Sequence, residues 1–160
     1  LALLAGLWFD ARSRATALVD QLATSQPTEW SRLVSEIDRG RGRSRARDLV
    51  NTRLSAVPNA TDAVPLRLAQ LQLDPSQADL AALREVLLSG PLEQFLPVRA
   101  QLRPQADAVV PALWAVLRDE SREGGTRLRA AMALAGLAAV PTEVNNNNNN
   151  NVGLAPTWTA

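Results

Sequence analysis

Residues 80–102 read LAALREVLLSGPLEQFLPVRAQL, and the spacing within them decides the fold. Leu80, Leu83 and Leu87 recur at three- and four-residue intervals, which is the period of one helix face and not of a strand. Gly90 closes that segment. Pro91 opens the next, whose apolar positions are Leu92, Phe95, Leu96 and Leu102. Proline suits a first helical turn because its missing N–H would have no partner there. Pro97 falls in the early turns and predicts a bend.

The same text continues on both sides. Upstream, Ala15, Leu18, Val19 and Leu22 mark a helix that stops at Ser25-Gln26-Pro27. Pro27 starts another, with Glu29 near its positive end and Trp30, Leu33, Val34 and Ile37 on one face. After a Gly/Arg loop, Ala46, Leu49, Val50 and Leu54 give a third, ended by Val57-Pro58-Asn59. Thr61 is placed to cap a fourth that carries Leu66, Ala69 and Leu73 and closes at Asp74-Pro75, with Ser76 restarting the pattern. Downstream, Val109, Val110, Leu113, Trp114 and Leu117 predict a seventh helix. Thr126 is placed to cap an eighth, RLRAAMALAGLAA. No strand pattern of useful length occurs, so the expected fold is all-α.

The helices also repeat. A shift of about 65 residues lays Leu18 and Leu22 on Leu83 and Leu87, and Trp30, Leu33 and Ile37 on Phe95, Val98 and Leu102. With two or three residues deleted, Leu54 meets Leu117 and Leu66-Arg67 meets Leu128-Arg129. Each half thus reads as four helices, and residues 11–140 are expected to form a HEAT-like helical repeat in which each pair buries its apolar face on the next. A closed bundle of the two halves is the competing architecture.

The ends have a different character. Residues 1–9, LALLAGLWF, are apolar throughout, and the first charge is Asp10. Nine residues cannot span a bilayer, which takes about 20. Residues 1–10 are therefore read as the exit end of a membrane-spanning helix, with Trp8 and Phe9 at the interface and Arg12 and Arg14 as headgroup anchors. This makes the expected location a single-pass membrane protein, with the side occupied by the helices left open. Residues 141–160, including the run Asn145 to Asn151, are read as low-complexity linker.

What the composition lacks limits the chemistry. The sequence has no Cys, His, Tyr or Lys, and all 17 basic residues are arginine against 16 acids, a net charge of +1. Zinc, haem and iron–sulfur sites lose their usual ligands. A Schiff base, a phosphate-gripping lysine and the Ser–His or Cys–His pair are excluded as well. Neither catalytic residues, nor a metal site, nor a cofactor is expected here.

Taken together, the apolar run ending in WF, then RSRATALVDQL, the Pro-turn helix and the later LWAVLRDES and TRLRAAMALAGL resemble one kind of bacterial segment. It is the HEAT-like helical region that follows the single transmembrane helix of large bacterial receptor-type Ser/Thr protein kinases. Some of those proteins continue into a formylglycine-generating-enzyme-like domain. The resemblance spans about residues 1–140 and rests on helical text, because no Gly-rich loop, HRD or DFG is present. It implies a kinase in the parent chain and none in this segment.

The strongest local feature is Arg39-Gly40-Arg41-Gly42-Arg43-Ser44-Arg45-Ala46-Arg47, with an arginine at every second position. Planar guanidinium forks in such a loop can hold phosphate. Against that, Asp38 and Asp48 lie beside the run, no aromatic residue is interleaved for base stacking, and the corresponding loop of the second half is not basic. Nucleic acid is thereby disfavoured as a partner. Glu29, Glu36, Glu85, Glu93, Asp119, Glu120 and Glu123 are read as surface carboxylates, with Glu36–Arg32 and Glu123–Arg127 as ion pairs. Trp30, Phe95 and Trp114 are read as core anchors. The expected function is an interaction or spacing module that meets a protein partner or a second copy of itself. The alternatives are a helical region preceding a formylglycine-generating-enzyme-like domain, and a polyanion-binding module using the arginine loop.

Overall fold

A computed structural model describes residues 2–40, 42–57 and 62–138, with side chains over residues 13–137 of these. The molecule is all-α. Among the described residues it has eight helices: α1 (Ala2–Thr24), α2 (Pro27–Arg39), α3 (Arg43–Ala56), α4 (Val64–Leu73), α5 (Leu80–Ser89), α6 (Leu92–Leu102), α7 (Ala106–Arg118) and α8 (Gly124–Ala138). Single 3-10 turns at Pro75–Gln77 and Arg103–Gln105 complete the joints. The Trp8, Phe9 and Arg12 side chains, Thr61 and the 141–160 linker lie outside what is described.

The predicted faces of the first half are the buried ones. Trp30, Leu33, Val34 and Ile37 of α2 and Ala46 and Val50 of α3 are all removed from solvent. The short α4 buries Val64, Pro65, Leu66, Leu68, Ala69, Leu71 and Leu73, because it touches α1, α2 and α3 on one side and α5 on the other. No polar or charged residue among those described is buried. Each fully buried Leu or Phe contributes about 1.5–3 kcal/mol of transfer free energy.

The positions aligned between the two halves agree in burial only in part: Leu66 is buried where Leu128 is exposed, and Leu18 is half-buried where Leu83 is buried. Leu22 and Leu87, Trp30 and Phe95, Leu33 and Val98, and Ile37 and Leu102 are buried as equivalent pairs. In the first half α1 packs on α2 and α3, and α4 packs on α2 and α3; in the second, α5 packs on α6 and α7, and α8 packs on α6 and α7. The two halves join through α2 against α6 and α4 against α5. Gln72 Nε2 donates to Gln101 Oε1 (3.0 Å) across that junction. A continuous solenoid would instead have stacked α3 on α5 and α4 on α6.

Four local expectations need correction. Leu92 and Leu96 are exposed, because α6 turns Phe95, Val98 and Leu102 inward and these fill its contact face. Trp114 is 43% exposed, since Val109 and Leu113 occupy the core side of α7, and the Arg118 guanidinium lies 5.3 Å from its ring centre. Thr126 is not a cap: α8 begins two residues earlier, at Gly124. The pattern does not restart at Ser76, which sits in a 3-10 turn; α5 starts at Leu80, capped by Asp79 accepting from the Ala82 N–H (2.9 Å). α6 runs on through Pro97 as helix.

The Asp79 carboxylate accepts the Ala82 amide and the Arg67 guanidinium (2.7 Å), and these outweigh burial to hold it below its ordinary range. A carboxyl lowered in the folded state adds stability above its unfolded pKa of about 4, which is lost as pH falls through the folded value. Asp79→Ala is expected to cost about 1 kcal/mol at neutral pH, as N-cap removals do. Thermal melts from pH 7 to pH 2 should show the variant and wild type converging in acid.

Candidate functional site

The arginine segment bridges the end of α2 and the start of α3, and the fold takes it apart. Arg39 Nε donates to the Ser35 carbonyl of its own helix (3.1 Å). Arg43, the first residue of α3, donates through Nη2 to the carbonyls of Gln72 (3.2 Å) and Leu73 (3.3 Å), and its Nη1 pairs with Asp38 at 3.0 Å. Arg47 lies 4.0 Å from Asp48, and Arg45 is exposed on α3. Arg41 lies outside the described residues. The structure therefore does not aim these guanidinium groups at one point.

Arg43 shows what arginine does in this molecule. The last carbonyls of a helix have no partner within it, and a Gly with positive φ is the common remedy. No described residue has positive φ. Arginines from other segments meet several of these carbonyls instead. Arg43 serves the end of α4, Arg129 donates to Leu87 at the end of α5 (2.8 Å), Arg127 to Leu117 at the end of α7 (3.2 Å), and Arg103 to Gly136 near the end of α8 (3.4 Å). The cation also complements the negative helix end. Sequence reasoning missed this use, because the carbonyls that the arginines serve lie 10 to 42 residues away along the chain and leave no local signal. It also displaces an expected pair, since Arg127 turns to Leu117 and not to Glu123. Glu36 does pair with Arg32, at 3.1 Å.

Arg43→Ala is expected to destabilise the fold by about 1–2 kcal/mol, because it leaves α4 carbonyls and Asp38 without their cation. Arg45→Ala should change stability by less than about 0.5 kcal/mol. Chemical denaturation of the two variants side by side checks the contrast.

A second feature is a cleft of about 350 Å³ where the starts of α2, α4 and α6 come together, lined among others by Pro27, Trp30, Asp62, Pro65, Glu93 and Gln94. Two of its polar groups are committed to backbone carbonyls, while Gln94 Oε1 is buried without a hydrogen-bond partner. The Trp30 indole N–H donates to the Ser25 carbonyl (3.2 Å), and the Ser25 hydroxyl donates to Leu22 O (2.9 Å). Asp62 and Glu93 supply acceptors, and no basic residue lines the cleft. The other predicted carboxylates are spread over the surface: Glu29 near Arg32 (3.9 Å), Glu85 accepting from Ser89, and Asp119 accepting from Ser121 and Arg122. Those hydrogen bonds, the Ser121 hydroxyl and amide foremost, hold the Asp119 carboxyl below its ordinary range. No cluster of three metal-ligating side chains occurs among the described residues.

No protein family, curated protein or solved structure matches this chain.

Proposed function

We propose that this chain is a non-catalytic, HEAT-like interaction and spacing module that stands beside the membrane in a bacterial receptor-type Ser/Thr protein kinase. The observation that supports it most is α1. It runs unbroken from Ala2 to Thr24, so the apolar residues 2–9 continue as one helix into Ala15, Val19 and Leu22, which are packed in the core. No described helix is long and apolar enough by itself to cross a membrane. A spanning helix that continued into α1 would be coupled rigidly to the packed helices, because a helix has no soft joint without a Pro, Gly pair or bulge. The wholly apolar core and the use of arginines as ties suit a scaffold. Polyanion binding by Arg39, Arg45 and Arg47 ranks second, since Arg43 is already engaged by α4.

The test uses the native full-length protein. An antibody against residues 11–138 should find it in the carbonate-resistant membrane pellet, and the immunoprecipitate should phosphorylate a generic Ser/Thr substrate. A carbonate-extractable protein without kinase activity overturns the proposal.

A further inference from the structure

Most described serine hydroxyls are tied within the molecule. Ser25, Ser35, Ser55, Ser76, Ser89 and Ser121 each donate to a carbonyl or a carboxylate. Ser44 is the contrast: it is exposed, and its hydroxyl makes no hydrogen bond. It stands inside the arginine run. Arg39, Arg41 and Arg43 lie five, three and one positions before it, and Arg45 and Arg47 one and three positions after.

The start of α3, where Ser44 is the second residue, is a weak helix end. Its N-cap is Gly42, which has no side chain to receive an amide, and its first turn contains no acid. Arg43 and Arg45 instead put positive charge at the positive end of the helix dipole, an unfavourable placement. By contrast α2 starts with Pro27 and Glu29, and α5 with the Asp79 cap. Helix ends without a cap are the first parts to open.

Opening this one turn lays residues 39–45 out as an extended segment, while Ala46 stays in the core. An extended chain sends alternate side chains to opposite sides. One edge then carries Arg39, Arg41, Arg43 and Arg45, and the other carries Gly40, Gly42 and Ser44. An acidic groove can grip the arginine edge with its carboxylates, Arg43 exchanging Asp38 and the α4 carbonyls for them. The Ser44 hydroxyl faces away from that groove with no bulky neighbour beside it.

We infer that Ser44 is the phosphoryl acceptor of an arginine-directed Ser/Thr protein kinase, which reads residues 39–45 as an extended segment. Ser44 Oγ attacks the γ-phosphorus of the nucleoside triphosphate held by that kinase. The Oγ–P bond forms, the bond to the bridging oxygen of the departing diphosphate breaks, and the hydroxyl proton passes to the kinase's carboxylate base. The product carries negative charge where the first turn of α3 lacks it, between two arginines, so phosphorylation closes the turn that opened to receive it. The inference does not rest on the parent chain being a kinase, because any kinase whose groove selects arginine serves.

The test uses the native full-length protein, isolated with phosphatase inhibitors and cleaved before each aspartate. Residues 38–47 are then released as one fragment in which Ser44 carries the only hydroxyl. Its mass should rise by one phosphoryl group. Ser44→Ala should abolish the rise and Ser44→Thr should keep it. Arg41→Ala/Arg45→Ala, which leaves the ties of Arg43 in place, should lower phosphate occupancy by about tenfold or more. Hydrogen exchange across residues 43–47 should slow in the phosphorylated protein. An unmodified fragment, or occupancy indifferent to the arginines, overturns the inference; unchanged exchange overturns the closing of α3. These readouts are separable from the membrane and kinase assays. Phosphate on Ser44 of a protein whose immunoprecipitate has no kinase activity sinks only the kinase assignment, and an active immunoprecipitate with unmodified Ser44 sinks only the acceptor site.

Discussion

Phe95→Ala is expected to lower stability by about 3–5 kcal/mol, the usual cost of emptying a buried aromatic site. Phe95 is 1% exposed and is the largest of the fully buried side chains. It sits where α6 meets α8, with the Arg99 and Arg129 guanidinium groups each 5.6 Å from its ring centre. Truncation removes the contacts of the ring and the face on which two cations rest, each such contact being worth about 0.5–1 kcal/mol. For a chain of this size the melting temperature should fall by roughly 10–20 °C. Phe95→Leu keeps most of the volume and none of the ring face, so the difference between the two variants isolates the packing contribution. A Phe95→Ala loss below about 1.5 kcal/mol in urea unfolding would show that Phe95 does not occupy the core.

Gly90→Ala is the second large effect, and its origin is steric. Gly90 follows α5 with φ −68° and ψ 175°, a backbone any residue adopts. A Cβ there, however, would stand 2.6 Å from the Val86 carbonyl oxygen, 2.9 Å from Val86 Cγ1 and 3.0 Å from Val86 Cα. Two of those atoms belong to the backbone and cannot rotate away. The α5–α6 joint must shift, at a cost of about 1–3 kcal/mol, typical of overpacking. Gly124→Ala is the control. Nothing lies within 4 Å of a Cβ there, and in the first turn of α8 alanine is expected to be neutral or to stabilise by up to about 1 kcal/mol. Equal denaturation midpoints for the two variants would contradict the tight joint at Gly90.

The helices were legible because periodicity and Pro/Gly punctuation are local signals. Pro27, Asp74-Pro75 and Gly90-Pro91 fall at observed boundaries, and Trp30, Leu33 and Ile37 mark the buried face of α2 as their spacing demands. The misplacements share one cause. Leu92, Leu96 and Trp114 are apolar and helically spaced, yet α6 and α7 carry more apolar residues than their neighbours cover. Periodicity counts apolar positions; it does not say how many faces will be packed. Capping failed differently, since Thr126 is a good cap residue overruled by an earlier helix start. The arginine loop read as a site because spacing along the chain says nothing of the Gln72 and Leu73 carbonyls, thirty residues away, that engage Arg43.

Closing helix ends with guanidinium groups has a consequence in alkaline solution. An ammonium in the same places would begin to lose its proton near pH 10, and the ties with it; a guanidinium does not. With no histidine, cysteine, tyrosine or lysine in the sequence, no side chain changes its charge between about pH 6 and pH 11. Stability should run level across that whole span and bend only in acid, where the carboxylates take up protons.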